Sequence, residues 1–268
     1  HPLGSLMPGS DLDRVRPRVV ALPHCYRSAV YTPYLLDWPE AVYVNLMWEQ
    51  IFYKGNNMAK IPHGAFALNH VLHLVWGEFA ADYLQEAGVP RGNIVVNGHP
   101  AYKLYDEPYR RYYIQRRELA QKHGFDLNKR WVFFPENYNW AFYSDVALQG
   151  FIQLGQKPED VYAMRDFCRD SLDDTIRWCA ALARTGQTEI IVRPRPATPL
   201  EEFKAAVHRI EPDIPIQMHI IKDESIREWI LASDVVVSSY STSLIEAAVA
   251  GKPAYILEPY PIPSALRM

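Results

Sequence analysis

The stretch SSYSTSLIEAAVAGKP, residues 238–253, decides how this chain is read. It follows the apolar run DVVV (234–237) and passes without a spacer into LIEAAVA, whose apolar positions recur at helical spacing. A buried strand that ends in hydroxyl residues and turns directly into a helix directs several backbone N–H groups, and the positive end of the helix dipole, at one point. Ser239, Ser241, Thr242 and Ser243 add hydroxyls there, so the junction reads as a phosphate cradle. Glu246, one turn into the helix, is a candidate acceptor for ribose hydroxyls. The same residues also read as an ordinary Ser/Thr helix cap.

Working outward, the pattern repeats. Short apolar runs at 18–24, 41–49, 73–78 and 93–100 form a first group of strands, and runs at 131–137, 189–196, 215–221, 234–240 and 253–258 form a second. Amphipathic stretches separate them, as expected of βα units on parallel sheets. The charged and aromatic segment 106–125 suits a linker followed by a first helix. The expected fold is therefore α/β, with two Rossmann-like lobes and a boundary near residue 104. Residues 1–103 are expected to form a first, partial lobe and 104–268 a second lobe that carries the phosphate cradle. Thr198-Pro199 ahead of Glu201 and Glu202 predicts a capped helix start, and Ser225 with Glu228 predicts a capping box. Residues 158–185 are helical in period, as one helix or two, with Gly186 as the stop.

Composition sets the outer bounds. The 268 residues, 49% hydrophobic and 22% charged, allow two globular lobes, and a net charge of -3 provides no general field for nucleic acid. Three cysteines without CxxC spacing read as buried free thiols rather than a disulfide framework or a zinc site, in keeping with a cytoplasmic setting. His24, His63, His70 and His73 lack ligand spacing on one helical face, so no metal is expected. No run reaches the roughly 20 apolar residues of a membrane span, and no basic amphipathic anchor stands out, which leaves at most peripheral association with a membrane. The opening HPLGS is set aside as a cloning remnant, and the Pro-rich end predicts a fold that continues past both termini.

Two further constellations carry candidate chemistry. VRPRP (192–196) lies at the carboxyl end of a predicted strand, where open α/β sheets bind ligands, and Pro194 stiffens the turn between Arg193 and Arg195. The expectation is that both guanidinium groups meet one anion, a solvated arginine pair being the plainer reading. NLMWEQIFYKGNN (45–57) brings Glu49 to a strand end among aromatics, where a raised pKa would suit a general base. An exposed, ion-paired glutamate fits the same composition. His99 in NGHPAY, and Asn137 and Asn139 in PENYNW, are candidate cleft or donor contacts that also suit turns.

Through residues 75–106, then RPRP, then 229–253, the chain resembles bacterial surface-carbohydrate biosynthesis proteins and, more distantly, polysialyltransferase-like and capsule transferases of the GT-B fold. The resemblance implies a nucleotide held between two lobes, 1–103 on the acceptor side and 104–268 binding the nucleotide sugar. It also implies no obligatory metal or cofactor, a first-lobe acid as base and an Arg-Pro-His-Pro type turn at the phosphate. Here WEQ (48–50) replaces an acidic pair and glycine, leaving Glu49, and Arg195 stands in the histidine position. A complete acceptor lobe would add about 100 residues. The implied activity is metal-independent transfer of a sugar from a nucleotide-activated donor, a CMP-linked ulosonic acid among the candidates. The implied acceptor is a bacterial surface glycan such as capsule or lipopolysaccharide, lipid-linked in some cases, at the inner face of the membrane. Polyol-phosphate transfer, sugar-nucleotide 2-epimerisation and a non-catalytic scaffold are the alternatives.

Overall fold

The computed structural model describes residues 16–47, 49–50 and 61–263. These form two compact units, divided between Pro100 and Ala101. Each is an α/β unit on a wholly parallel sheet, and all nine predicted strands are present.

In the first unit, β1 (Val19–Leu22), β2 (Val42–Asn45), β3 (Val71–Val75) and β4 (Ile94–Val96) lie in the order β1-β2-β3-β4. Each crossover steps the same way along the sheet, so the right-handed rule puts the described crossover helices on one face. On that face α1 (Ser28–Asp37), α2 (Ala65–Asn69) and α3 (Glu78–Glu86) meet the inward strand residues. Tyr31 and Ala67 pack with Val20, Leu22, Tyr43 and Val71, while Ala80, Ala81 and Leu84 pack with Val75 and Ile94. The alternate strand residues face the other way. Val19, Ala21, Val42, Val44, Leu72, Leu74 and Val95 line up in register as an aliphatic surface, with Val19 56% and Val42 55% exposed.

A polar pair is built into the covered face. Asn45 Oδ1 accepts the Met47 amide at 3.1 Å, which turns its NH2 toward His73 Nδ1 at 2.9 Å. His73 Nδ1 must then accept, and its Nε2–H donates to the Ala67 carbonyl at 2.9 Å. This arrangement suits one neutral tautomer of a fully buried ring.

In the second unit, β5 (Arg130–Pro135), β6 (Thr188–Arg193), β7 (Met218–Ile220), β8 (Val235–Ser238) and β9 (Ala254–Ile256) take the order β7-β6-β5-β8-β9. From β5 the chain winds outward through β6 and β7, then returns to the other side of β5 as β8. Helices consequently cover both faces. On one, α6 (Pro158–Arg184) and α7 (Leu200–Ile210) close over Val132, Phe134, Ile190, Val192 and Val237. On the other, α4 (Arg116–His123), α8 (Ile226–Ala232) and α9 (Thr242–Val249) close over Trp131, Phe133, Ile191 and Val236. A further helix, α5 (Asp145–Gln153), precedes α6.

Local signals fared unevenly. Segment 158–184 is one continuous helix, and Gly186 follows its C-cap at φ +74°. Ser225 and Glu228 form the expected capping box. Thr198 does not cap α7. Its amide closes a turn onto the Arg195 carbonyl at 3.0 Å, its carbonyl accepts Lys222 Nζ at 2.7 Å, and Pro199 occupies the N-cap position instead. Cys25, Cys168 and Cys179 are free and buried, and burial pushes the Cys25 and Cys168 thiols up to about 12.

Burial lowers the His73 pKa from its ordinary 6.5, against the opposing pull of the Ala67 carbonyl. A histidine whose folded pKa is depressed adds its full stabilisation above the unfolded value, and loses it as pH falls through that value toward the folded one. Lowering the pH from 7.5 to 5.5 is therefore expected to lower the amide protection factors of β2 and β3, once the intrinsic slowing of exchange in acid is divided out. A His73→Leu variant should show a smaller pH response in those two strands; an identical response would exclude His73 as the titrating group.

Candidate functional site

Reversal of winding at β5 and β8 makes a topological switch point, and open α/β sheets bind ligands beyond the carboxyl ends of the strands there. Chain leaving β5 enters the short helix Asn139–Phe142 on the α6 face, whereas chain leaving β8 enters α9 on the opposite face. The two strands therefore part, and side chains take over from ladder bonds. Ser238 Oγ donates across the seam to the Pro135 carbonyl at 2.6 Å, and Asn137 Nδ2 donates to the Tyr240 carbonyl at 3.0 Å.

Arg195 joins this edge from β6. Its Nη1 donates to Asn137 Oδ1 at 2.6 Å and to Asn139 Oδ1 at 3.3 Å. One exposed guanidinium, two asparagines and the turn after β8 are thus linked across three adjacent strands. Ser239 lies buried beneath that turn, 2% exposed. Ser241 is the N-cap of α9, its Oγ accepting the Ser243 amide at 3.3 Å and donating to Ser243 Oγ at 3.1 Å. Thr242, half-buried, opens the helix. The cap that the sequence allowed is therefore present, at the N-terminus of an eight-residue helix aimed into the polar edge.

Two residues expected at this edge have other partners. Arg193 turns toward β7, where Nη2 donates to the Lys222 carbonyl at 3.1 Å and the Glu224 carbonyl at 2.8 Å. Its guanidinium is held by these carbonyls, whereas that of Arg195 is held by Asn137 and Asn139. The β6 turn sends consecutive arginines to opposite neighbours, and Arg193, half-buried, satisfies carbonyls of the loop after β7. Glu246 accepts the Tyr105 hydroxyl at 2.8 Å and faces Arg227 Nε at 3.4 Å. Burial, the Glu246 charge and this hydrogen bond together raise the Tyr105 pKa, so the phenol stays a donor.

Glu136, overlooked between Pro135 and Asn137, is the functional candidate that sequence reasoning missed. It is 3% exposed, and its carboxylate accepts the amides of Tyr138 and Arg195. Burial pushes its pKa above the ordinary carboxylate value, against those amides and the Arg195 charge. Its sequence signal was only its place at a strand end, which the neighbouring asparagines share.

In the first unit, Met47 takes a left-handed conformation, φ +42°, at the turn leaving β2. Glu49 follows half-buried, its carbonyl accepting the Tyr26 hydroxyl at 3.1 Å. Burial, then the Glu49 and Cys25 charges, push the Tyr26 phenol up to about 12. Buried Gln50 bridges two strand ends: Nε2 donates to the Met47 carbonyl at 3.1 Å and the Leu74 carbonyl at 3.2 Å, while Oε1 accepts the Trp76 amide at 2.7 Å. Both a donor and an acceptor are needed there, which an ionised glutamate does not offer. This is a physical reason for glutamine at the third position of WEQ. His99 packs its ring against Trp76, centroids 4.2 Å apart. Trp48 and residues 51–57 of that motif lie outside the described residues. Among the described residues, no group of three or more His, Cys, Asp or Glu is arranged to hold a metal ion.

No family model matches the sequence, and no curated protein matches it. Solved structures do match in fold. HepE from Anabaena, in complex with UDP and glucose, is 14% identical with a TM-score of 0.52, over 90% of this chain and 59% of that one. MnaA from S. aureus with UDP is 12% identical with a TM-score of 0.55, over 92% and 59%. UDP-GlcNAc 2-epimerase from Neisseria meningitidis, bound to UDP-GlcNAc, is 11% identical with a TM-score of 0.51, over 93% and 62%. At such identities the likeness establishes the fold: two Rossmann-like lobes of the GT-B type. The chain spans about 60% of the length of these structures.

The contrast between the arginines is testable. Arg193→Ala strips a donor from two carbonyls and should lower the stability of the second unit by about 1–3 kcal/mol in urea unfolding. Arg195→Ala, at an exposed guanidinium, should stay within about 0.5 kcal/mol of wild type. Equal losses would dissolve the distinction. Gln50→Glu, isosteric but lacking the NH2, is expected to cost the first unit about 1–3 kcal/mol, read by its unfolding midpoint.

Proposed function

We propose that this protein transfers a sugar from a nucleotide-activated donor to a bacterial surface glycan, without a metal or other cofactor. The observation that carries this reading is the polar edge at the β5/β8 switch point. There Arg195, Asn137, Asn139 and the N-terminus of α9 collect cationic and neutral donors around the place where doubly wound sheets take phosphate groups. Protein dipoles and a guanidinium at that point would stabilise the negative charge that builds on a departing phosphate. In this reading Thr242 and the first-turn amides of α9 contact the phosphate, with Ser239, Ser241 and Ser243 shaping the turn. Arg193 braces the β6–β7 edge behind Arg195. Glu246, already aligned by Tyr105 and Arg227, accepts from ribose hydroxyls. Glu49 takes the proton of the acceptor hydroxyl, and His99 belongs to the same first-unit edge.

The structural neighbours with UDP or a UDP-sugar make uridine nucleotides the first donors to examine, with CMP-linked ulosonic acids next. In this reading the acceptor is a lipid-linked or growing capsular or lipopolysaccharide chain at the inner face of the membrane. No helix among the described residues is long and apolar enough to cross a membrane. A second reading, sugar-nucleotide 2-epimerisation, is favoured by the fold shared with the Neisseria epimerase. It needs acid and base groups on both faces of the sugar.

Thermal melting with UDP, UDP-glucose, UDP-GlcNAc and CMP tests donor binding. A ligand at about 100 times its dissociation constant adds about 2.7 kcal/mol, a rise of roughly 5–10 °C for a domain of this size. No shift with any of the four at millimolar concentration would sink the reading. Product analysis then separates the two activities, because transfer releases free nucleotide and epimerisation leaves the sugar nucleotide intact.

A further inference from the structure

Glu136 has no part in the phosphate chemistry just described, yet the turns that carry that chemistry are attached to it. Its own amide donates to the Arg193 carbonyl at 2.9 Å, continuing the β5–β6 ladder by one bond. Past that point Pro194 supplies no N–H, and the next amide, Arg195, donates to Glu136 Oε2 at 3.3 Å. The other carboxylate oxygen accepts the Tyr138 amide. Main chain and side chain of one residue thereby fasten the start of the β6 turn and the start of the β5 turn together.

A buried carboxylate is costly unless its oxygens are satisfied, and this one is satisfied by two N–H groups belonging to different turns. The ionic form fits better than its amide counterpart. Both carboxylate oxygens accept, whereas a glutamine would have to set an NH2 against one of the two amides. Once the Arg195 backbone is fixed, its side chain is steered by Asn137 and Asn139, which occupy one of its three guanidinium nitrogens. Asn137 is in turn held by the Tyr240 carbonyl, one residue before the cap of α9.

We propose that Glu136 is a positioning residue, which by anchoring the Arg195 amide sets the direction in which the Arg195 guanidinium meets the phosphate group of a bound nucleotide. This rests on the nucleotide-binding reading of the same edge. Glu136 itself stays behind the turn and touches no ligand. The Tyr138 bond fixes the turn that carries Asn137 and Asn139, and the effect on the ligand passes through the Arg195 guanidinium, so it is selective for the phosphate over the rest of the nucleotide.

Calorimetric titration of UDP and of uridine into wild type, Glu136→Gln, Arg195→Ala and the double variant tests this, with hydrogen exchange over 194–198 measured alongside. Glu136→Gln should weaken UDP by about tenfold or more and leave uridine unchanged, while exchange over 194–198 quickens. In the Arg195→Ala background the same substitution should cost UDP nothing further. Equal loss of UDP and uridine, additive losses in the double variant, or unaltered exchange would each overturn the inference and leave the nucleotide site standing. Should Glu136→Gln fail to fold, Glu136→Asp, which keeps two acceptors on a shorter arm, goes through the same cycle under the same criteria. A wild type that binds neither UDP nor uridine would remove both the site and this role for Glu136.

Discussion

Between β5 and β8 two parallel strands must separate, because the chain beyond one belongs to the α6 face and the chain beyond the other to the α9 face. The backbone groups at the point of separation have lost their ladder partners and still need hydrogen bonds. Here the Ser238 hydroxyl, the Asn137 amide and the Glu136 carboxylate supply them. A polar edge is thus the price of doubly wound topology, paid in side chains of defined donor and acceptor character. Those side chains also bring a cation, a helix N-terminus and amide donors together at this edge.

The first unit meets the opposite constraint. Its strands follow one another in a single direction, so among the described residues its helices gather on one face and the aliphatic strand residues line the other. Polar groups in the covered face are correspondingly few and closely matched, as Asn45 with His73 and Gln50 with two strand ends show. The chemistry of each unit follows from its winding. Reversal exposes backbone that side chains must satisfy at the sheet edge; uniform progression confines polar matching to single buried residues.

Sheets were legible because strand formation depends on short-range pattern. Apolar runs such as VVAL at 19–22 and EIIV at 189–192 need no knowledge of their neighbours to be recognised. The capping box at Ser225 was equally local. Partner choice was not. Arg193 and Arg195 look equivalent in VRPRP, and only the strand order, with β7 on one side of β6 and β5 on the other, sends them apart. Thr198 failed as a cap for the same reason, since its carbonyl was taken by Lys222 from 24 residues away. Glu136 was hidden because a carboxylate's burial depends on α6 and the β6 turn closing over it, which no property of PENYNW discloses.

Glutamine at position 50 shows how a residue acquires meaning only in three dimensions. In sequence, WEQ reads as the loss of an acid. In the fold, the third residue is a bridge that donates to two carbonyls and accepts one amide, so an acid there would leave both carbonyls without a donor. The acid that remains, Glu49, is carried on the turn that this bridge stabilises, beside a tyrosine whose hydroxyl grips its backbone. The Glu49 carbonyl and the Gln50 side chain are thus both tied to neighbouring elements, which fixes the main chain at these two residues.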